Sequence, residues 1–459
     1  MSTPATRPET GRLAAVKQRY APAVAKLRGS ETAKASWLAV AMMLNNVIAL
    51  GSTVVFSHLI GEYGKLAALI SYFLILAVAG YAMQVATARE GVLGHLGSGP
   101  ALAATVRGWT RSILFLTAAL SVVSVLLRQP IADAVGVKHY PWAAALGLPA
   151  GCLYLLLTIL RGVLQGTGDY RTVGLSLIGE QGARLIIGAA LALAGFGVFG
   201  AYLGTPVSFI VMSLYCLVVI RRQVGLPLPG QGPALSLWRH VKGAWSPIAA
   251  LTVIAVLQNI DIIAANHRFT GHVANSYSAV AVAAKVVIWV AMGAGFYLVP
   301  EVSRRRAAGE DTRPVLGRSL LIIAVVAAPC LLIFLVAHHV LIELAFGKGR
   351  VQAADSLFIL GVAFTVLAAT YLAIQYMLAL KRHWFLIPLA AVAVAEPVLL
   401  LHASQKPTGF AAVVLAVQAA AAVLAFSIAL RRGGTPPDQG APTPDAAADA
   451  ETVLSPELV

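Results

Sequence analysis

The feature that most constrains this chain is a recurrence. From residue 36 to residue 430, apolar runs follow one another, each about 20 residues long and nearly free of charge. In hydrocarbon every backbone N–H and C=O needs an internal partner, and a helix supplies them all within one segment. Reading for runs of that length gives about twelve predicted spans, over 36–58, 66–88, 110–128, 141–161, 172–195, 197–220, 244–266, 273–299, 318–340, 355–380, 384–402 and 409–430. Only 12% of the residues are charged and 59% are hydrophobic, where a soluble globular chain carries roughly 25% charged residues. Too few polar side chains remain to cover a water-facing surface, which excludes a soluble enzyme and the collagen-like, disulfide-stapled and disordered classes. The expected fold class is an all-α polytopic membrane protein.

The flanking segments are of another kind. Residues 1–35 are polar, carry Pro4, Pro8 and Pro22, and lack the short apolar core of a removable signal peptide, so the first run is expected to stay as an anchor. Residues 431–459 are rich in Pro and Ala, with Asp438, Asp445, Asp449, Glu451 and Glu457, and read as a solvated, disordered tail. Lys and Arg number 34 against 19 acids. If the N-terminus is cytoplasmic, only Lys65, Arg128, Lys138, Arg268, Lys348, Arg350 and Lys406 fall in outer loops. Arg184 and Lys285 lie within spans, and all the others, Arg161 included, fall on the inner side. That asymmetry predicts both termini inside, and it accounts for the basic balance without a nucleic-acid partner.

Internal repetition divides the chain in two. Trp37 aligns with Trp245, and Gly61-Glu62-Tyr63 with the segment from Gly271 to Tyr277. Tyr154-Leu155 opens a run ending at Glu180, as Tyr371-Leu372 opens one ending at Glu396. Six spans per half keep the same topology, so the halves are expected to relate by an axis along the membrane normal, with the working site between them at mid-depth. The predicted organisation is a cytoplasmic N-terminal segment (1–35), an N-lobe (36–220), a cytoplasmic linker (221–243), a C-lobe (244–430) and a tail (431–459).

Charges inside a span cost about 3 kcal/mol each on insertion scales, so those present are candidates for function. Glu180 and Arg184 stand four apart on one helix face and form either internal structural glue or part of a transport site. Asp261, with Gln258 one turn earlier and Asn259 beside it, and Lys285 form either a polar cavity or a buried pair. Asn45 and Asn46 bring two amides into the first span. Glu396 precedes Pro397 and either works in the cavity or satisfies amides freed by a kink. Pro149, Pro206, Pro247, Pro329, Pro388 and Pro397 are read as helix breakers of a protein that opens alternately to each side.

Enzyme motifs do not survive inspection. His338 and His339 are neighbours and do not share a helix face, so no metal site is expected. Gly166-Thr167-Gly168 lacks the strand a phosphate loop requires. Neither a serine-hydrolase elbow nor a Walker Lys-Ser/Thr is present, and no cofactor is expected. Cys152, Cys216 and Cys330 sit in apolar runs as small buried hydrophobes.

Certain residues carry a family resemblance. Asn46 with Ser57-His58-Leu59-Ile60-Gly61-Glu62-Tyr63-Gly64 resembles the first span and turn of bacterial polysaccharide flippases. So do Arg161-Gly162-Val163-Leu164-Gln165-Gly166 with Tyr170, Glu180 with Arg184-Leu185, and Gly195 to Ala201. In the second half Asp261, Tyr277 with Lys285, and Leu298-Val299-Pro300 with Ser303 fit the same pattern. The resemblance, over about 36–430, is to the multidrug/oligosaccharidyl-lipid/polysaccharide exporter superfamily. It implies a transporter of the bacterial cytoplasmic membrane, working in polysaccharide biosynthesis for the cell envelope. Such a flippase moves an undecaprenyl-diphosphate-linked oligosaccharide outward by alternating access, among membrane lipids and glycan-assembly proteins. It further implies that Arg184 and Lys285 meet the diphosphate, and that Asp261 and Glu180 release it or bind a coupling cation. The chain departs from lipid II flippases in ending after twelve spans and in carrying Asn45-Asn46 where those have an arginine. That favours an O-antigen, capsule or teichuronic-type carrier.

Alternatives are a cation-coupled multidrug exporter of the same superfamily, a major-facilitator transporter, a membrane glycan polymerase or ligase, and a scaffold. The facilitator hallmark is missing from Ala88-Arg89-Glu90-Gly91, and a polymerase normally presents a long outer loop.

Overall fold

The computed structural model describes residues 31–430, so the expectations for 1–30 and for the tail 431–459 lie outside the described residues. Helices account for nearly all of it, and the described residues include no strand. In the first half they are α1 (Glu31–Leu59), α2 (Tyr63–Val92), α3 (Pro100–Leu126), α4 (Arg128–Val135), α5 (Pro141–Ala145), α6 (Gly147–Gly166), α7 (Tyr170–Leu191) and α8 (Gly197–Val224). A short α9 (Leu237–Gly243) lies in the linker. The second half holds α10 (Trp245–Arg268), α11 (Gly271–Ala284), α12 (Val286–Ala307), α13 (Arg313–Val336), α14 (His338–Phe346), α15 (Leu357–Ala379), α16 (Leu386–Leu401) and α17 (Pro407–Ala429), with a 3₁₀ segment Lys348–Ser356 before α15.

Nine helical stretches among the described residues are long and apolar enough to cross a membrane. One of them, Tyr170–Val224, supplies two of the predicted spans. Its direction reverses through a π-turn at Ala192–Phe196, where Gly195 takes φ 94°, a left-handed conformation that favours glycine. The predicted eighth span is α11 and α12, interrupted by the single turn residue Lys285. The eleventh is α16, whose 16 residues rise only about 24 Å. Every predicted span therefore has its helix.

The halves repeat one packing scheme. In the first lobe α1 packs on α7, α6 on α2, α3 and α8, and α7 on α8. In the second, α10 packs on α16, α15 on α11, α12, α13 and α17, and α16 on α17. Substituting span for span, these are the same contacts, so the molecule is two pseudo-symmetric six-helix lobes. Close packing of α2 on α6 rests on small residues: a methyl on Gly91 would stand 2.9 Å from the Gly166 Cα. Large apolar side chains such as Phe115, Val336, Leu344 and Ile387 face outward, while Arg161, Asp261 and Glu396 are completely buried. This polarity is the inverse of a soluble protein and fits a lipid surround.

Two sequence readings need correction. Pro149, Pro247 and Pro388 lie in the first turns of α6, α10 and α16, where the missing N–H breaks no intrahelical bond. Of the six, only Pro206, Pro329 and Pro397 sit inside helices. The fourth span does not end at 161: its helix runs on to Gly166, which brings Arg161 inside. Arg350, assigned to an outer loop, is likewise buried. Moving one arginine from each side leaves the charge asymmetry of the loops as it was. Cys152 and Cys216 are buried and Cys330 half-buried, all as free thiols.

Candidate functional site: a charged cluster in each lobe

In the N-lobe, α6 and α7 bring three charges together. Glu180 on α7 is gripped from both sides: the Arg161 guanidinium lies 2.9 Å from Oε2, and Arg184 Nη2 donates to Oε1 at 3.0 Å. Arg161 also donates from Nε to Ser176 Oγ and from Nη2 to the Ser176 carbonyl, both at 2.8 Å. A buried arginine so held leaves little freedom to a ligand. Arg184 differs. It is half-buried, its Nε has no partner among the described residues, and its guanidinium lies 5.7 Å from the Phe73 ring and 5.4 Å from Phe209. With two cations and one acid the cluster is net positive, and Arg184 is the member able to offer a donor to an anion.

In the C-lobe, Lys285 Nζ donates to Asp261 Oδ1 at 2.9 Å and lies 5.1 Å from the Phe364 ring. At the boundary of α11 and α12, Lys285 keeps helical dihedrals (φ −70°, ψ −10°) and its amide donates to the Ala281 carbonyl at 3.2 Å, while the Ile288 amide bonds the Lys285 carbonyl three residues back in a locally tightened turn. Glu396, on α16, accepts from Gln418 Nε2 at 3.2 Å, and the same amide donates to the Leu257 carbonyl at 2.8 Å. Asp261 Oδ2, Glu396 Oε2 and Gln418 Oε1 are buried without a hydrogen-bond partner among the described residues. Acceptor oxygens lacking donors suit a proton or a hard cation. With Asp261, Lys285 and Glu396 counted as ionised, this cluster carries one more acid than base.

Of the candidates read from sequence, the structure pairs Glu180 with Arg184 and Asp261 with Lys285, and adds Glu396 to the second lobe's interior. Arg184 and Lys285 do not pair across the lobes; the contacts above keep each within its own. Asn45 donates to Asn46 at 3.5 Å on half-buried α1, and Asn259 donates to its own helix at Ala255, so neither amide pair joins the charges through these bonds. Gln258 is half-buried. Sequence reasoning missed Arg161 and Gln418. The available signal for Arg161 was its apolar continuation, Val163-Leu164, which places the stop at Gly166-Thr167-Gly168.

The lobes pack on each other through α2 and α10, and polar bonds join them at the turn between α1 and α2. Asn275 Oδ1 accepts from Gly64 N at 2.7 Å, Asn275 Nδ2 donates to the Gly61 carbonyl at 2.9 Å, and Asn266 Nδ2 donates to the Gly64 carbonyl at 3.0 Å. Arg350 Nη2 reaches the carbonyls of Ser57, Ile60 and Gly61 at 3.2, 3.0 and 3.3 Å. The approach at Gly64 is close: a Cβ would stand 3.0 Å from Asn275 Oδ1 and 3.2 Å from the Ala274 carbonyl.

Solved structures with this architecture exist. An inward-facing multidrug resistance MATE family transporter of the MOP superfamily superposes with a TM-score of 0.67 at 15% identity, covering 86% of this chain and 97% of that one. The chain has the fold of that transporter. The lipid II flippase MurJ in an inward closed conformation gives 0.64 at 14% identity, over 85% of this chain and 87% of that one. An outward-facing MATE family transporter gives 0.54 at 15% identity, over 88% and 96%. Neither a sequence-family model nor any curated protein matches the sequence.

Proposed function

We propose that this chain is a transporter of the MOP superfamily, not an enzyme, and that it flips an undecaprenyl-diphosphate-linked oligosaccharide outward across the bacterial cytoplasmic membrane. The carrying observation is the net-positive Arg161–Glu180–Arg184 cluster, whose half-buried Arg184 keeps an unused donor beside two aromatic rings. Arg161 and Glu180 hold Arg184 in place, and Arg184 takes the diphosphate. Lys285 supplies a second cation from the other lobe once the substrate separates it from Asp261. With both termini cytoplasmic, the polar junction at the α1–α2 turn lies on the outer side, and we read the described state as inward-facing. The greater overlap with the inward-facing relative supports that reading.

A second reading draws on the other lobe. The partnerless oxygens of Asp261 and Glu396 suit a cation-coupled multidrug exporter, in which the same acids exchange a cation against a drug. Vesicles containing the purified protein separate the two. A fluorescent diphosphate-linked oligosaccharide lipid should cross, and Arg184→Ala or Lys285→Ala should abolish its crossing with the folded amount unchanged. Transport of cationic dyes with no movement of the glycolipid would establish the exporter instead. Loss of folded protein in Arg184→Ala would mark that arginine as structural. An impermeant thiol reagent should label a cysteine at Lys138 or Lys406 from outside and miss one at Arg305; the reverse pattern would invert the orientation.

A further inference from the structure

His338 and His339 open α14 after a break in the helix at Ala337, which has φ −120° and ψ 22°. Sequence spacing argued against a metal there because adjacent residues diverge on a helix. The fold adds a third group from a different element. Asp355, near the end of the 3₁₀ segment, sets Oδ1 3.3 Å from His338 Nε2 and 3.1 Å from His339 Nε2. All three ligand atoms fall within 4.8 Å of one another. Two ligands of a tetrahedral zinc ion, each 2.0–2.1 Å from the metal, stand about 3.3 Å apart, so both nitrogen–oxygen edges match, and the nitrogen–nitrogen edge must lie within about 4.1 Å once an ion is bound.

The tautomer of His338 is also set. A carbonyl only accepts, so His338 Nδ1–H donates to the Leu335 carbonyl at 3.1 Å, and neutral His338 turns a bare Nε2 lone pair toward a carboxylate oxygen. Such a contact is held by a proton on Nε2 or by a bound cation, and orientation of a ring through its far nitrogen is how metal-binding histidines are commonly held. Two imidazoles and one carboxylate suit zinc and its first-row neighbours rather than magnesium or calcium.

The third ligand connects this cluster to the lobe junction. Asp355 and Arg350 belong to the same 3₁₀ segment, and Arg350 reaches across to Ser57, Ile60 and Gly61. Ser276 Oγ fastens the segment to α11, accepting from Ala353 N at 2.8 Å and donating to the Arg350 carbonyl. We propose that His338, His339 and Asp355 bind one divalent transition-metal ion of the zinc type, and that the bound ion clips the 3₁₀ segment in the position where Arg350 joins the lobes.

The test uses the full chain in detergent, stripped of metal and titrated with zinc chloride by calorimetry. One strong site is expected, with affinity roughly 10–100-fold weaker in His339→Ala and in Asp355→Ala, and no competition from magnesium. Equal zinc affinity in the wild type and in the His338→Ala/His339→Ala double variant would overturn the site. Hydrogen exchange reads the coupling: zinc should slow exchange of the Ile60–Lys65 amides in the wild type and leave it unchanged in Arg350→Gln, which still binds the ion. Zinc binding at the three residues with no protection of Ile60–Lys65 in the wild type would overturn the clip.

Discussion

The two lobes repeat the same helix contacts and hold their buried acids in different ways. In the first, one acid is held by two arginines and the sum is positive; in the second, the one lysine pairs with Asp261, and Glu396 has an amide for its partner. The acids aligned by the internal repeat, Glu180 and Glu396, show the contrast directly. Glu180 has both oxygens engaged by guanidinium groups, whereas Glu396 has one oxygen on an amide and the other without a partner. A duplicated scaffold thus carries two different sites, and packing symmetry places few demands on what stands at equivalent depth.

The largest effect that tests this contrast is on folding. Glu180→Gln keeps the volume and removes the only charge between Arg161 and Arg184. It should cost about 3–5 kcal/mol and deplete the folded protein, seen as loss of the monodisperse peak in size-exclusion chromatography. Glu396→Gln loses no direct contact with a cation and should cost about 1 kcal/mol or less. Equal loss in the two variants would erase the distinction between the lobes.

The next effect concerns the driving force. A diphosphate head carries about two negative charges, and each is worth roughly 2.3 kcal/mol per 100 mV. With the inside negative, outward flipping gains about 4.6 kcal/mol per 100 mV, more than a thousandfold in the equilibrium ratio, with no ion gradient. Flipping should therefore follow a valinomycin-set potential with pH and sodium clamped, and should persist in Glu396→Gln. Indifference to potential, together with loss of transport in Glu396→Gln, would assign the coupling to the acidic lobe.

The smallest effect lies in the linker, which leans on the first lobe. Leu235 accepts from Trp109 Nε1 at 2.8 Å, Thr105 Oγ1 accepts from Ala234 N at 2.9 Å, and His240 meets Thr87 Oγ1 at 2.9 Å while stacking on Trp109. Burial pushes the His240 imidazole below its ordinary value of 6.5, against a smaller upward pull from Glu90. The undocked linker then binds protons more readily than the docked one, so docking is fully favoured above about pH 6.5 and weakens as the pH falls below it. Tryptic cleavage at Arg239 and Lys242 should rise severalfold in mildly acidic buffer, and His240→Gln should flatten that dependence.

How much of this was legible follows from the range of each interaction. Glu180 and Arg184 are one helical turn apart, and helix geometry alone makes them neighbours. Asp261 and Lys285 lie on consecutive spans of a hairpin, so depth counting brought them level. Arg161 escaped because a span boundary read from hydropathy has an error of several residues, enough to move a buried side chain into a loop. Gln418 escaped because a single amide in an apolar run shows no pattern; its role comes from α17 facing both α10 and α16.

The sequence by itself determined the helical class, the spans and the duplication, because water-to-hydrocarbon transfer and backbone satisfaction act on one segment at a time. It also determined which residues a bilayer would reject unless paired. Only the tertiary structure decided which charges pair, that the two clusters stay within separate lobes, that Arg350 and Asn275 bond the lobes at the α1–α2 turn, and that Asp355 meets two histidines. Those depend on how each helix is rotated about its axis and where it ends. Packing against neighbours fixes both, and local sequence leaves them open.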